Sequence, residues 1–253
     1  VLDRPNPLGG LKADGPPMDA ANMSYVGAWR VPYVHGLTMG ELARMAKEAP
    51  EVAGQYAIPE AARAKGRLTV VPMRNWTRAM RWADTGLKWV PTSPRVQDAA
   101  AAEGYPMTGL GCELGGFRHG IAGGYDFRGV SHLTLKLDAV EKELRALPLA
   151  GVNVRRLTAT NARTGKPGNG LYLDIIDYDE WRPTELSFHL MRLACRLEPK
   201  NPFATATAEK RSLFLHLMGS TAFFNELATK GKKDRKSTRL NSSHTDISRM
   251  PSS

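Results

Sequence analysis

The sequence has little cysteine and no long apolar run, and each shortage excludes a class of protein. Cys112 and Cys195 are its only two cysteines, too few for a disulfide-rich scaffold and without a zinc-ligand spacing. No apolar run approaches the ~20 residues that cross a bilayer, so we expect no transmembrane segment. The chain is 42% apolar and 24% charged, which is ordinary for a folded globular protein.

Positive charge is abundant but unevenly distributed. The net charge is +10, and half of it lies in residues 230–253. The rest of the chain is only modestly basic, so we predict no nucleic-acid partner. Nucleic-acid binding by the basic chain is kept as an alternative, and its affinity would depend mostly on that C-terminal segment.

The two ends differ in character from the middle. Val1-Leu2 runs straight into a proline turn with no initiator Met and no signal peptide, so we expect the chain to start inside a protein, late in a strand. Residues 232–253 are rich in Ser, Lys and Arg and have no amphipathic period, which predicts a disordered tail. Because residues 235–253 resemble a translated sequencing adaptor, we interpret this tail as non-native, with a native basic tail as the alternative.

Helical and strand patterns alternate, which indicates an α/β architecture. Thr38 and Glu41 form a capping-box pattern, and Asp138 and Thr184 precede other amphipathic runs. Expected helices cover about 38–47, 139–147, 184–197, 208–218 and 220–230. Expected strands cover 68–73, 152–160 and 171–176.

A glycine-rich stretch from about Pro106 to Val130 predicts a long irregular loop. Loops of this length are often functional, and we place the domain boundary within it, at residue 120. An incomplete α/β piece precedes the boundary and a smaller α+β piece follows it.

Several short motifs follow one another along the chain. They are Asp3-Arg4-Pro5-Asn6-Pro7-Leu8-Gly9-Gly10, Ser24-Tyr25-Val26-Gly27, His35-Gly36-Leu37-Thr38-Met39-Gly40-Glu41 and Thr85-Gly86-Leu87-Lys88-Trp89-Val90-Pro91. This series resembles the exo-β-N-acetylmuramidase (NamZ-type) family of bacterial glycoside hydrolases, long catalogued as a domain of unknown function. The resemblance extends over residues 1–231.

The resemblance implies a fold and an activity. The expected domains are an incomplete Rossmann-like catalytic domain at 1–120 and a C-terminal α+β domain at 121–231, with the active site in the cleft between them. The implied reaction releases N-acetylmuramic acid from the non-reducing end of peptidoglycan fragments during cell-wall recycling, so muramyl saccharides are the expected partners. It requires no cofactor, and a cell-wall substrate implies a periplasmic or secreted location.

The family's candidate catalytic acid is a Glu in a Pro-Glu-His-Gly motif, which this sequence does not contain. We therefore expect the acid upstream of Val1 and the 253-residue chain alone to be inactive. A noncatalytic cell-wall glycan-binding protein with the same fold is the alternative.

Glycoside cleavage usually needs a second carboxylate, and the lactyl carboxylate of muramic acid favours an arginine partner. Glu113 is our candidate for that carboxylate, although Leu114-Gly115-Gly116 follows it where the family more often has Gly-Thr-Asn. The predicted substrate-binding residues are Arg4, Asn6, His35, Arg118, His119 and Tyr125. For Arg4 the alternative is a structural ion pair with Asp3.

Other polar and aromatic residues have a simpler structural interpretation. Glu41 is better explained as a helix cap than as a catalytic group. Packing is favoured over sugar stacking for Trp76, Trp82 and Trp89, and Cys112 and Cys195 are interpreted as small buried side chains. Because acidic residues after a strand usually form a solvated turn, we predict no metal site at Asp174, Asp177, Asp179 and Glu180.

Overall fold

A computed structural model describes residues 1–54 and 57–231 and has a mixed α/β fold, as predicted. Its helices are α1 (Met39–Glu48), α2 (Pro50–Ala53), α3 (Glu60–Lys65), α4 (Ala99–Thr108), α5 (Leu137–Arg145), α6 (Glu185–Leu197), α7 (Ala208–Met218) and α8 (Thr221–Lys230). Its strands are β1 (Asp14–Pro17), β2 (Pro32–Val34), β3 (Phe117–His119), β4 (Gly129–His132), β5 (Val152–Thr160) and β6 (Pro167–Ile175). The predicted tail at 232–253 lies outside the described residues.

The main sheet is antiparallel, with strand order β3-β4-β6-β5. β5 and β6 pair along their whole length, from Val152 opposite Ile175 to Thr160 opposite Pro167. β5 spans the residues that the sequence predicts. β6 begins earlier than predicted because the hairpin loop is short and is closed by the Asn161 side chain, whose Oδ1 accepts the Arg163 amide at 3.0 Å.

The core lies on both sides of α6. On one side, sheet residues such as Leu171 and Leu173 pack with Val140 and Leu144 of α5 and with Leu190 of α6. On the other side, α6 packs on α7 and α8 through a second apolar cluster, which includes Phe188, Met191, Phe203, Phe214 and Phe224. The helix is therefore buried along most of its length, and it fixes the C-terminal part of the fold.

Residues 1–100 contain little regular structure. β1 and β2 form a two-stranded antiparallel pair. The predicted strand at 68–73 is wrong: it reduces to one parallel bridge between Leu2 and Val71, because its partner is only the short segment before the first proline turn. In the described part of residues 1–100, this bridge is the only parallel pairing of the kind that a Rossmann-like sheet contains.

The helix ends agree with the sequence in part. Thr38 and Glu41 form the expected capping box on α1. Asp138 does not cap α5, which begins after Lys136; its carboxylate pairs with Arg156 instead. Thr184 stands at the N-cap of α6, but its hydroxyl donates to Asp14 at 2.9 Å.

The glycine-rich stretch is more ordered than predicted. α4 continues to Thr108, and a 3₁₀ turn at Leu110–Cys112 leads to β3. Gly104 lets α4 approach the loop before β4, since a Cβ there would lie 2.7 Å from the carbonyl carbon of Phe127. Among the described residues, no helix has the length and apolarity needed to cross a membrane.

Candidate functional site

The first motif begins with a structural aspartate. Asp3 Oδ1 accepts the Gly40 amide at 2.7 Å and Oδ2 accepts the Thr38 hydroxyl at 3.0 Å, so this carboxylate binds the first turn of α1. Arg4 is exposed, and its Nη1 donates to the Asp3 carbonyl at 3.1 Å. The Asp3 carboxylate thus stabilises the start of α1. The Arg4 guanidinium donates to a backbone carbonyl and not to the Asp3 carboxylate.

Asn6 and His35 come from separate motifs and meet beside one turn. Asn6 Nδ2 donates to the Leu37 carbonyl at 3.1 Å, and Oδ1 accepts the Leu8 amide at 3.0 Å. His35 Nδ1 accepts the Leu37 amide at 3.0 Å, so the neutral ring carries its proton on Nε2. Burial lowers the pKa of His35, and this effect outweighs that of the nearby Glu41 carboxylate, which raises the pKa. The ring is therefore neutral at pH 7.

Both residues line a cleft of about 530 Å³. One wall is formed by the segment that leads into β2, with Val26, Trp29 and Tyr33. The opposite wall comes from α4, with Tyr105 and Pro106. The cleft therefore lies between the loop-rich N-terminal part and the start of the C-terminal part, and its surface is largely apolar and aromatic.

An aromatic series connects this cleft to the glycine-rich segment. The Tyr33 ring stacks at 6.5 Å on Tyr105, which lies 4.7 Å from Phe127, and Phe127 stacks on His119 at 4.1 Å. All three distances join ring centroids of adjacent members. Burial raises the pKa of the Tyr33 phenol, and a hydrogen bond with Tyr105 and the nearby Glu113 charge act in the same direction.

Glu113 follows the 3₁₀ turn after α4. The residue is exposed overall, and partial burial of its carboxyl raises its pKa. Its charge acts on Tyr33 in the cleft wall. A carboxyl with a raised pKa beside a cleft is a candidate acid–base group.

His119 lies at the far end of the aromatic series. Its Nδ1 is buried without a hydrogen-bond partner, 3.9 Å from Asp126 Oδ1, which accepts Arg95 Nη1 at 3.1 Å. Burial lowers the pKa of His119, and this outweighs the opposite effect of Asp126.

Four of the six predicted binding residues do not line the cleft: Arg4, Arg118, His119 and Tyr125. Arg118 is exposed, and its Nη1 donates to the carbonyls of Phe117 at 2.7 Å and Gly115 at 3.2 Å. Tyr125 packs edge-on against Tyr172 with ring centroids 5.7 Å apart. The structure thus brings Asn6 and His35 together in the cleft and connects His119 to the cleft wall through the aromatic series. It leaves outside the cleft lining the other predicted residues, which are Arg4, Glu113, Arg118, His119 itself and Tyr125.

Sequence reasoning missed the aromatic walls. Trp29, Tyr33 and Tyr105 carry no motif that distinguishes them from core residues. The available signal was the Ala-rich run capped by Asp98, whose carboxylate accepts the Ala101 amide at 2.7 Å. That run predicts α4, and α4 carries Tyr105 into the cleft.

The remaining candidates have structural roles. Trp82 and Trp89 pack edge-to-face at 5.0 Å, and Glu41 pairs with Arg78 in addition to its capping bonds. Cys112 and Cys195 are buried free thiols, and burial raises the pKa of Cys195 to about 12.

The acidic residues after β6 are engaged locally. Asp177 Oδ1 accepts the amides of Asp179 and Glu180 at 3.0 and 3.1 Å, and Asp174 pairs with Arg155 at 2.7 Å. No three His, Cys, Asp or Glu side chains converge as metal ligands in residues 1–54 and 57–231.

Comparisons with known proteins agree with this architecture. Residues 1–100 match the family model of the N-terminal part of exo-β-N-acetylmuramidase NamZ, and residues 103–245 match the model of its C-terminal part. The domain boundary at residue 120 stays a prediction. The non-native character of residues 232–253 also stays a prediction, and the second match covers part of that segment.

Relatives with a known sequence or structure are longer than this chain. Peptidoglycan β-N-acetylmuramidase NamZ of Bacillus subtilis (strain 168) is 30% identical over 204 residues, which is 79% of this chain and 46% of that protein. The 1.65 Å crystal structure of a DUF1343-family protein from Bacteroides fragilis matches 91% of this chain and 58% of that one, with a TM-score of 0.75 and 28% identity.

A second DUF1343-family structure from the same organism supports the fold alone, with a TM-score of 0.52 and 22% identity over 92% of this chain and 58% of that one. The chain thus spans about half the length of its relatives. On the two family-model matches and the aligned structure, the chain belongs to the exo-β-N-acetylmuramidase NamZ family.

Proposed function

We propose that this chain supplies the saccharide-binding cleft of a glycoside hydrolase that removes terminal non-reducing N-acetylmuramic acid from peptidoglycan fragments. One observation carries the proposal: Asn6 and His35, from two separate family motifs, line the same cleft of about 530 Å³. The curated relative is a peptidoglycan β-N-acetylmuramidase, which supports a role in peptidoglycan turnover.

The cleft suits an amino-sugar ring. Small-molecule sites usually occupy roughly 300–1,000 Å³ and combine apolar walls with a few polar groups. Trp29, Tyr33 and Tyr105 offer flat surfaces for the C–H faces of a pyranose and for its acetamido and lactyl methyl groups. His35 Nε2–H supplies a donor for a sugar oxygen.

Acid–base chemistry requires carboxyl groups at the scissile bond. We assign Glu113 to the role of second carboxylate, because burial raises its pKa and its charge acts on Tyr33 in the cleft wall. The family's Pro-Glu-His-Gly motif is absent from the 253 residues. We therefore propose that this chain binds the sugar without hydrolysing it.

The activity is tested with the full-length protein that contains this chain and a chromogenic β-N-acetylmuramide. We expect release of the chromophore from the muramide and none from the matching N-acetylglucosaminide. Cleavage of another glycoside with no action on the muramide would overturn the assignment. Binding of the muramide without turnover by the full-length protein would support the glycan-binding alternative.

The role of Glu113 is tested in the same protein. Glu113→Gln keeps the side-chain shape and removes its acid–base function, so kcat should fall about 100-fold or more. Glu209→Gln, at an exposed position on α7, is the matched control and should keep full activity. A Glu113→Gln enzyme that retains wild-type kcat would exclude this carboxylate from the reaction.

A further inference from the structure

A tight turn stands at the rim of the cleft. Its ends are joined by two backbone hydrogen bonds, from the Ser24 amide to the Gly27 carbonyl at 3.2 Å and from the Gly27 amide to the Ser24 carbonyl at 3.1 Å. Gly27 packs so closely that a Cβ there would lie 2.4 Å from Met18 Cε and 3.0 Å from the His216 carbonyl oxygen. The turn is therefore fixed against the body of the protein.

The two residues at the tip of this turn are apolar and open to solvent. Tyr25 is 94% exposed and Val26 is 65% exposed. Val26 also lines the cleft, as do the residues that follow it up to Trp29. Tyr25 thus stands immediately outside the cleft wall, on a backbone that holds it in place.

The ring of Tyr25 differs from the other aromatic rings around the cleft. Tyr33 and Tyr105 stack on each other, and Tyr105 also contacts Phe127. In the part of the chain that the structure describes, the ring of Tyr25 contacts no other ring. The core gains nothing from this side chain, because nearly all of it is in solvent.

We infer that Tyr25 is a platform for the second pyranose ring of a saccharide whose terminal ring occupies the cleft. This inference rests on the proposed function. A terminal sugar held in the cleft directs the next ring out through the mouth, across the rim. A pyranose has an apolar C–H face that packs on a flat aromatic surface, while the phenol hydroxyl remains free to bind water or a sugar hydroxyl.

The fixed turn makes such a platform effective. A ring on a mobile loop would lose conformational entropy on binding, whereas this backbone is already closed by its own hydrogen bonds. Tyr25 is thus a specificity-determining residue, which favours muramyl disaccharides over the free monosaccharide.

The test measures binding to the 253-residue chain by isothermal titration calorimetry. The probes are the methyl β-glycoside of N-acetylmuramic acid and the β-1,4-linked N-acetylmuramyl-N-acetylglucosamine disaccharide. Tyr25→Ala should weaken disaccharide binding about 3- to 10-fold, the range expected for one aromatic contact, and leave monosaccharide binding unchanged. Tyr25→Phe should keep wild-type affinity for both, and Leu133→Ala, at an exposed position after β4, is the control.

The possible failures can be told apart. A wild-type chain that binds both sugars equally, or a Tyr25→Ala chain that loses affinity for both, overturns the inference and leaves the proposed function standing. A wild-type chain that binds neither sugar overturns both. If Tyr25→Ala weakens binding only of a disaccharide that carries the stem peptide, the platform serves the peptide and the inference is wrong.

Discussion

The two halves of this chain are held in place by different forces. Residues 101–231 contain two continuous apolar clusters, one on each side of α6. In the described part of residues 1–100, the buried apolar side chains are Pro5, Met18, Met23, Val34 and Ala53. The C-terminal half therefore has a core of its own, whereas the N-terminal half leaves many large apolar side chains exposed, such as Leu2, Leu11 and Val90.

Polar contacts to the C-terminal half replace that core. Lys12 Nζ donates to the carbonyls of Asp179 at 2.7 Å and Trp181 at 2.9 Å. Asp14 Oδ2 accepts both the amide and the hydroxyl of Thr184 at 2.9 Å. Because β1 pairs with β2, which borders the cleft, a few directional hydrogen bonds set the position of one cleft wall.

The largest expected effect comes from breaking the core of the C-terminal half. Leu190 on α6 is fully buried, so Leu190→Ala should lower the free energy of unfolding by about 2–5 kcal/mol through lost burial and an unfilled cavity. Urea denaturation measures this loss. Leu213→Ala, at a position 54% exposed on α7, is the control and should change stability little. A loss below 1 kcal/mol for Leu190→Ala would show that this core does not carry the fold.

A smaller and more local effect is expected where the halves meet. Asp14→Ala leaves the buried Thr184 hydroxyl without its acceptor, at a cost of about 1–3 kcal/mol. Hydrogen exchange should become faster in residues 14–34 and stay unchanged in β5 and β6.

The matched variant Thr184→Val removes the hydroxyl and keeps the amide bond to Asp14, so it should have a smaller effect. Equal acceleration of exchange in both halves after Asp14→Ala would mean that the contact is not local.

The C-terminal half should also respond to pH through His132. Its Nε2 lies 3.4 Å from Glu198 Oε1, and its Nδ1 accepts the Leu135 amide at 3.0 Å. Burial lowers its pKa below the ordinary 6.5, and this outweighs the opposing effect of Glu198. Below about pH 6.5 the unfolded chain therefore binds a proton that the folded chain does not bind. The free energy of unfolding decreases as the pH is lowered through this range.

The variant His132→Asn removes this titration. The difference in the free energy of unfolding between wild type and variant should therefore narrow as the pH is lowered from 7 to 5, with both proteins followed by chemical denaturation. A difference that widens on acidification would reverse the assigned direction of the pKa shift.

The smallest effect is expected from a surface ion pair. Arg145 donates to Glu141 at 2.8 Å along α5 and is half exposed. Arg145→Ala should cost about 0.5 kcal/mol or less, as measured by a double-mutant cycle with Glu141→Ala. A coupling energy above about 1 kcal/mol would mean that this surface ion pair stabilises the protein as much as a hydrogen bond between the two halves does.

Regular elements with local signals could be predicted from the sequence. β5 and α7 have the predicted bounds, because alternation and helical periodicity are properties of the segment itself. The segment 68–73 has strand composition, but its partner is too short to pair with it. α4 was missed because Gly104 and Pro106 have low helix propensity, and tertiary packing stabilises the helix despite them.

The same division applies to the candidate site. Asn6 and His35 were identifiable because a specific motif carries each of them. The sequence could not show that Arg118 lies outside the cleft. Whether a guanidinium faces a cleft or binds its own main chain depends on the local backbone conformation. The aromatic walls depend on the contact between rings of α4 and β2. These elements are far apart in the sequence, so no local spacing predicts the contact.

The hydrogen bond between the Leu37 amide and the His35 ring limits the reaction steps that this imidazole can perform. With one nitrogen committed to the main chain and the other already protonated, the neutral ring has no free lone pair with which to take a proton from water. Accepting a proton would require giving up the bond that shapes the turn. In the proposed reaction, proton uptake would therefore fall to a carboxylate, and His35 would act only by orienting a sugar oxygen.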